Sequence, residues 1–217
     1  MKRAVLTIAL ILAMLCCAAH AEDTASLIIG TRTQQAFTKE MVSDEDLNTI
    51  LEAGLAAPSA INQQPWFFAV VTNQDVIDEI RNSAGGFALP AGGSAPAGDK
   101  PPQASAGVKA ALGDSPVAII IYMDESSKSP NPNFDCGLAC ENMLIAAKAL
   151  GYGAKIVSSP TMQLNGENHD ALCEKLGVDA SYTAVAVLLI GHEDTAVDGS
   201  TSASVRDALD AKVSFVK

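Results

Sequence analysis

The sequence predicts a fold in which helices and a sheet share one core, and three observations lead there. Ser43 opens a segment whose apolar residues, Leu47, Ile50, Leu51 and Leu55, recur at helical spacing. Residues 133–150 are apolar nearly all round, the pattern of a helix buried inside a core. Three runs of strand length, 67–71, 116–122 and 183–190, are apolar and rich in β-branched or aromatic residues.

Taken in order, residues 24–30 form a short amphipathic piece read as a helix, leading into Thr31-Arg32-Thr33-Gln34-Gln35-Ala36-Phe37. Ser43 with Asp46 fits a capping box, and acids at 44 to 46 suit the positive start of a helix. Pro58 ends that helix, since it cannot donate to the next turn. Phe67 to Val71 reads as a buried strand and Asn73 to Arg81 as the helix after it. From Ser83 to Asp114 Gly, Ala, Pro and Ser dominate and no periodicity survives. A loop of that length inside a domain is either a functional lid or rim, or an inert insertion.

Pro116 to Tyr122 lacks alternation, so both faces of this strand are expected to be buried. A polar loop over 124–131 precedes the long helix, Asn133 to Leu150, which Gly151 closes. Gly153 to Val157 is a short strand or a turn, Gly166 to Leu176 a helix, and Thr183 to Ile190 a buried strand. The tail, 191–217, is polar except for Val205, Leu209, Val213 and Val216. Apolar points without an obvious strand partner in the same chain suggest packing across a subunit interface.

The 217 residues suit one domain with a full core. Lys and Arg number 14 against 25 Asp and Glu, a net charge of −11. That balance excludes a nucleic-acid surface, which needs cations to displace counterions from phosphate, and argues against an anionic membrane surface.

Residues 1–21 carry the anatomy of a secretory signal: Lys2 and Arg3, an apolar run from Ala4 to Leu15, and Ala19-His20-Ala21 before Glu22. The apolar run is short for a membrane span. A cleaved, exported, periplasmic or secreted protein of residues 22–217 is expected. Its loss of Lys2 and Arg3 would move the net charge to −13. Three cysteines would then remain, Cys136, Cys140 and Cys173, an odd number read as buried small apolar residues and not as a disulfide framework. No Cys/His cluster has zinc spacing, and His169 and His192 stand alone.

The stretch Ala57-Pro58-Ser59-Ala60-Ile61-Asn62-Gln63-Gln64-Pro65-Trp66-Phe67-Phe68 places a hydroxyl, three side-chain amides and the only tryptophan between helix and strand. Buried amides need partners. Either a planar heteroaromatic ligand supplies them, or the stretch is a polar turn. There is no G-x-S-x-G, no Walker loop and no evident carboxylate pair. Gly151-Tyr152-Gly153 follows a helix and lacks the third glycine of a dinucleotide fingerprint. What remains is a set of mostly uncharged polar groups on three loops, suited to holding a cofactor that performs its own chemistry.

Together these segments resemble the nitroreductase family of FMN-dependent homodimeric oxidoreductases, from about residue 26 to the end. The most specific piece is Ala57-Pro58-Ser59-x-x-Asn62-x-Gln64-Pro65-Trp66. Phe134-Asp135-x-Gly137-x-Ala139-x-x-Asn142-Met143-Leu144 with Leu150-Gly151-x-Gly153 is similar to the family's central helix and following turn. Val205-Arg206 with Leu209 and Val213 looks like its C-terminal arm, 191–217. The resemblance implies an α+β fold, a central, mainly antiparallel sheet flanked by helices, in an intertwined homodimer with a site at each end of the interface.

It also implies flavin contacts, position by position. Thr31, Arg32, Thr33 and Gln35 match the first loop, where Thr31 and Gln35 stand in place of basic residues. Arg32 or Arg206 would have to supply the phosphate's cation. A neutral Gln35 at the flavin N1/O2 edge implies a lower reduction potential than a lysine or arginine would give. Pro58, Ser59 and Asn62 match the loop reaching the flavin from the partner subunit. Ser158 and Ser159 match the turn beside the isoalloxazine ring, and Ser204 with Arg206 the phosphate end of the arm. The implied chemistry is a ping-pong hydride exchange through flavin N5, from NAD(P)H or another small donor to a nitroaromatic, quinone or similar acceptor. No side chain need act as acid or base. The alternatives are a flavin-binding or carrier protein of the same fold without turnover, and an exported interaction protein without cofactor.

Overall fold

A computed structural model of the chain describes residues 24–83 and 112–216. The expected signal, 1–21, lies outside the described residues, as does most of the 83–114 loop. Residues 24–30 form helix α1, and the remaining elements are β1 (Thr33–Gln34), α2 (Asp44–Leu55), β2 (Trp66–Val71), α3 (Gln74–Ser83), β3 (Val117–Asp124), α4 (Pro132–Ala149), β4 (Gly153–Val157), α5 (Thr161–Leu164), α6 (His169–Leu176), β5 (Tyr182–Gly191), β6 (Thr201–Ser202) and α7 (Leu209–Lys212). Among these helices none is long and apolar enough to cross a membrane.

The sheet has the order β2-β3-β5-β4, and every neighbouring pair is antiparallel. This is the α+β architecture the resemblance implied. β3 lies in the middle and is buried along nearly its whole length. Successive side chains point to opposite faces, so Val117, Ile119, Ile121 and Met123 enter one core with α2 and α4. Ala118, Ile120 and Tyr122 enter a second core, which also holds Ile77 of α3, Leu164 of α5 and Leu172 of α6. Each fully buried Ile or Leu contributes about 1.5–3 kcal/mol relative to exposure.

α2 starts as the capping box predicts, with Ser43 Oγ accepting from the Asp46 N–H at 3.1 Å. Leu47 and Ile50 are buried; Leu51 is only partly covered and Leu55 is exposed, so the buried face is narrower than its spacing implied. Gly54 completes that face, because a Cβ there would come within 2.7 Å of Met143 on α4. Close approach of α2 to α4 thus requires glycine. α4 begins at Pro132 behind an Asn131 cap and ends at Gly151, whose φ of +89° suits a residue without Cβ.

Three expectations are corrected. β2 is an edge strand that is only partly buried: Trp66 enters the first core and Ala69 and Val71 the second, while Phe67 on one face and Val70 on the other are exposed. The helix expected from Gly166 begins at His169, after a separate turn of helix at Thr161–Leu164. The tail does have a strand partner of its own, since Thr201–Ser202 pairs antiparallel with Thr33–Gln34. Beyond that pairing Val205, Leu209, Phe215 and Val216 remain exposed. Cys136, Cys140 and Cys173 are buried and free, as expected.

Candidate functional site

Two polar loops frame the sheet. The first runs from α1 through β1. Thr31 Oγ1 donates to Leu27 O at 2.7 Å and so finishes α1. β1 itself is only the pair Thr33–Gln34. Gln34 is buried, its amide donating to Ala36 O at 2.7 Å and to Ser200 O at 3.0 Å. Gly153 of β4 accommodates it, since a Cβ there would meet the Gln34 side chain at 2.5 Å. Arg32 lines a cleft of about 320 Å³ with Thr31, Gln34, Lys148 and Glu193. Thr33 and Gln35 do not line that cleft.

A lysine reaches Gln35 from β4. Gln35 Nε2 donates to Ser202 Oγ at 2.9 Å, and Lys155 Nζ donates to Gln35 Oε1 at 3.3 Å. The amide thus joins β6 to β4. Lys155 is half-buried, and loss of hydration holds its ammonium below the usual lysine range. Just beyond, Ser158 and Ser159 are exposed, and Ser158 O accepts from the Thr161 N–H and hydroxyl. Ser204 and Arg206 are exposed on the tail, and Arg206 makes no ion pair among the described residues.

The second loop enters β2. Ala60–Asn62 makes one 3-10 turn, and Ile61, Asn62 and Gln64 have φ of 48°, 54° and 46°. Left-handed backbone is costly for any residue but glycine, and most of all for a β-branched one. Local hydrogen bonds hold it: Ser59 Oγ accepts from the Gln64 N–H at 2.9 Å, and Asn62 Oδ1 from the Gln64 amide at 3.1 Å. The buried Asp135 carboxylate accepts from the Ala60 N–H at 3.2 Å and from the Ser129 hydroxyl at 2.6 Å. Trp66 belongs to the core, parallel to Phe68 with ring centroids 6.4 Å apart. Its indole is structural, while Pro58, Ile61, Asn62 and Gln64 face outward.

These loops serve opposite edges of the sheet. β2 and β4 are separated by β3 and β5, which puts them at least about 14 Å apart at ordinary strand spacing. Pro58, Ser59 and Asn62 therefore do not meet Gln35 and Ser158 within one chain.

Lys155 and Asp135 were missed as functional residues, though both had a signal. Lys155 is the single charge in the strand Gly153–Val157, and Asp135 an acid in the first turn of an otherwise apolar helix. Among the described residues no His, Cys, Asp and Glu group could hold a metal ion.

The Nitroreductase family model matches residues 28–192, which take in both loops, the long helix and the whole sheet. A protein of Archaeoglobus fulgidus, named as a candidate NADH dehydrogenase/NAD(P)H nitroreductase, is 30% identical over 174 residues, 79% of this chain and 86% of that one. A nitroreductase with bound FMN from Bacteroides fragilis superposes with a TM-score of 0.71 at 20% identity, covering 89% of this chain and 98% of its own. An FMN-dependent nitroreductase from Clostridium difficile R20291 does so with a TM-score of 0.64 at 25% identity, covering 89% and 98%. Fold and loops define an α+β domain of the oxidoreductase type. The chain belongs to the nitroreductase family.

Proposed function

We propose that this chain is an exported, FMN-dependent oxidoreductase acting as a homodimer, with hydride taken from NAD(P)H or another small donor and delivered to a nitroaromatic, quinone or similar acceptor. The observation that carries this reading is the family match running through both polar loops. Separation of those loops on opposite sheet edges supports the dimer, because only a second copy can unite them.

The donor set fits FMN. Hydroxyls of Thr33, Ser158, Ser159 and Ser204 and the Gln35 amide suit ring carbonyls and ribityl oxygens. Arg206 suits the phosphate, a role Thr31 cannot take, with its hydroxyl committed to Leu27 O. From the partner copy Pro58, Ser59 and Asn62 would close the site and exclude water. When bound, FMN supplies the chemistry, acceptance and donation of hydride at N5 in a ping-pong exchange. The chain's residues orient donor and acceptor in turn over one surface, and none is asked to move a proton.

Export is supported by the basic start, short apolar run and Ala19-His20-Ala21. A second reading, a flavin carrier of the same fold without turnover, is favoured by Thr31 and Gln35, which replace basic residues. Loading the purified protein with FMN, dialysing, and measuring retained flavin and mass together tests the main reading. One FMN per chain on a dimer is expected; a flavin-free monomer would overturn it.

A further inference from the structure

The Gln35 side of the site contains a cation that the identity of residue 35 hides. Lys155 reaches it from β4, a different element from the loop that carries Gln35, and its acceptor is a neutral amide oxygen at 3.3 Å. Half-buried lysines normally meet a carboxylate or extend their ammonium into water. Lys155 makes no ion pair among the described residues, and burial already penalises its charge. The Gln35 amide is itself fixed by Ser202, so Lys155, Gln35 and Ser202 form one hydrogen-bonded set of donors in which no carboxylate among the described residues takes part. Such a set is complementary to a ligand that carries, or acquires, negative charge.

Hydride uptake by a flavin adds two electrons and one proton, the proton and the new bond at N5. One negative charge is then spread over N1 and the C2 carbonyl. We propose, resting on the FMN reading above, that Lys155 is the residue that stabilises this reduced form, with Gln35 holding its ammonium in place. Gln35 alone implied a weakly stabilised reduced cofactor; Lys155 restores the missing charge from the neighbouring strand. Lys155 acts here as a positioned charge and gives up no proton.

Oxidised and reduced FMN affinities and the midpoint potential are to be measured on the wild type, Lys155→Met and Lys155→Arg, with dithionite as reductant. Loss of one nearby charge is expected to weaken reduced FMN relative to oxidised by about tenfold or more. For a two-electron couple tenfold lowers the midpoint by about 30 mV. Lys155→Arg keeps the charge and is expected to stay near the wild-type potential, which controls for lost packing. FMN bound by Lys155→Met at the wild-type potential overturns this inference alone. A wild-type protein that takes up no FMN overturns it together with the function it rests on.

Discussion

Asp135, in the first turn of α4, accepts a hydrogen bond from the backbone N–H of Ala60, 75 positions earlier, at 3.2 Å. That contact ties the start of the long helix to the loop containing Ile61, Asn62 and Gln64, whose left-handed backbone would otherwise relax. The same carboxylate accepts from Ser129, so one buried acid secures two loops. The family motif places Pro58, Ser59 and Asn62 in this loop, and Asp135 is what holds them in shape.

Removing Asp135 should therefore affect both stability and the site. Hydrogen bonds to a charged group contribute about 1.5–3 kcal/mol each, and their loss leaves a buried N–H unsatisfied. Asp135→Ala is expected to lower unfolding stability by about 2–4 kcal/mol and to weaken FMN retention. Asp135→Asn, which can still accept from Ala60, should lose less. Urea denaturation with a flavin-retention assay checks both, and equal loss in the two variants would contradict the charge argument.

Gly153→Ala tests the seat of β1. The added methyl meets the Gln34 side chain at 2.5 Å, and Gln34 is buried with both amide hydrogens committed. Overpacking of this kind costs about 1–3 kcal/mol. The expected result is a lowered thermal midpoint and faster hydrogen exchange at the Gln35 and Ala36 amides, which donate to Ser200 O. An unchanged midpoint would mean that Gln34 is free to move.

Tyr152 and Asp46 predict a pH dependence. The Asp46 carboxylate is held below the usual carboxylate range, first by the Tyr152 hydroxyl at 2.7 Å and then by Ser43. A lowered folded-state value adds stability above the ordinary 3.8, and that stability is lost as pH falls through the lower value. Tyr152→Phe should therefore be less stable than wild type at neutral pH, with the gap closing in acid. Urea midpoints across that range check the sign; a gap constant with pH would contradict it.

The exposed tail predicts the assembly. Leu209, Phe215 and Val216 present apolar surface that the rest of their own chain leaves uncovered. Replacing Leu209 and Phe215 by Asp should convert the proposed dimer to monomer in sedimentation analysis without loss of secondary structure. A dimer that survives would show that the tail is not at the interface.

The proposed export predicts a mature chain beginning at Glu22 in the extracytoplasmic fraction, read by intact mass. A full-length chain found only inside the cell would contradict export.

Much of the fold was legible because its elements are punctuated locally. Ser43, Pro58 and Gly151 mark helix ends by their own chemistry. The unbroken apolar run of β3 reports burial on both faces. β2 misled because Phe67 and Val70 look like core residues, and only the strand order shows that they lie on an edge. The pairing of Thr201–Ser202 with β1 was hidden because two-residue strands have no period to read. Thr33, Gln35 and the Ala57–Pro65 loop were legible as motif. Lys155 was not, because it arrives from another strand.

The central claim is tested most directly by following the visible flavin band of the FMN-loaded protein anaerobically, adding a hydride donor and then a nitroaromatic or quinone. The account predicts that the band bleaches with the donor and returns in full with the acceptor, over repeated cycles. A bound flavin that bleaches and is never reoxidised by any acceptor, or a protein with no flavin band to follow, would contradict it.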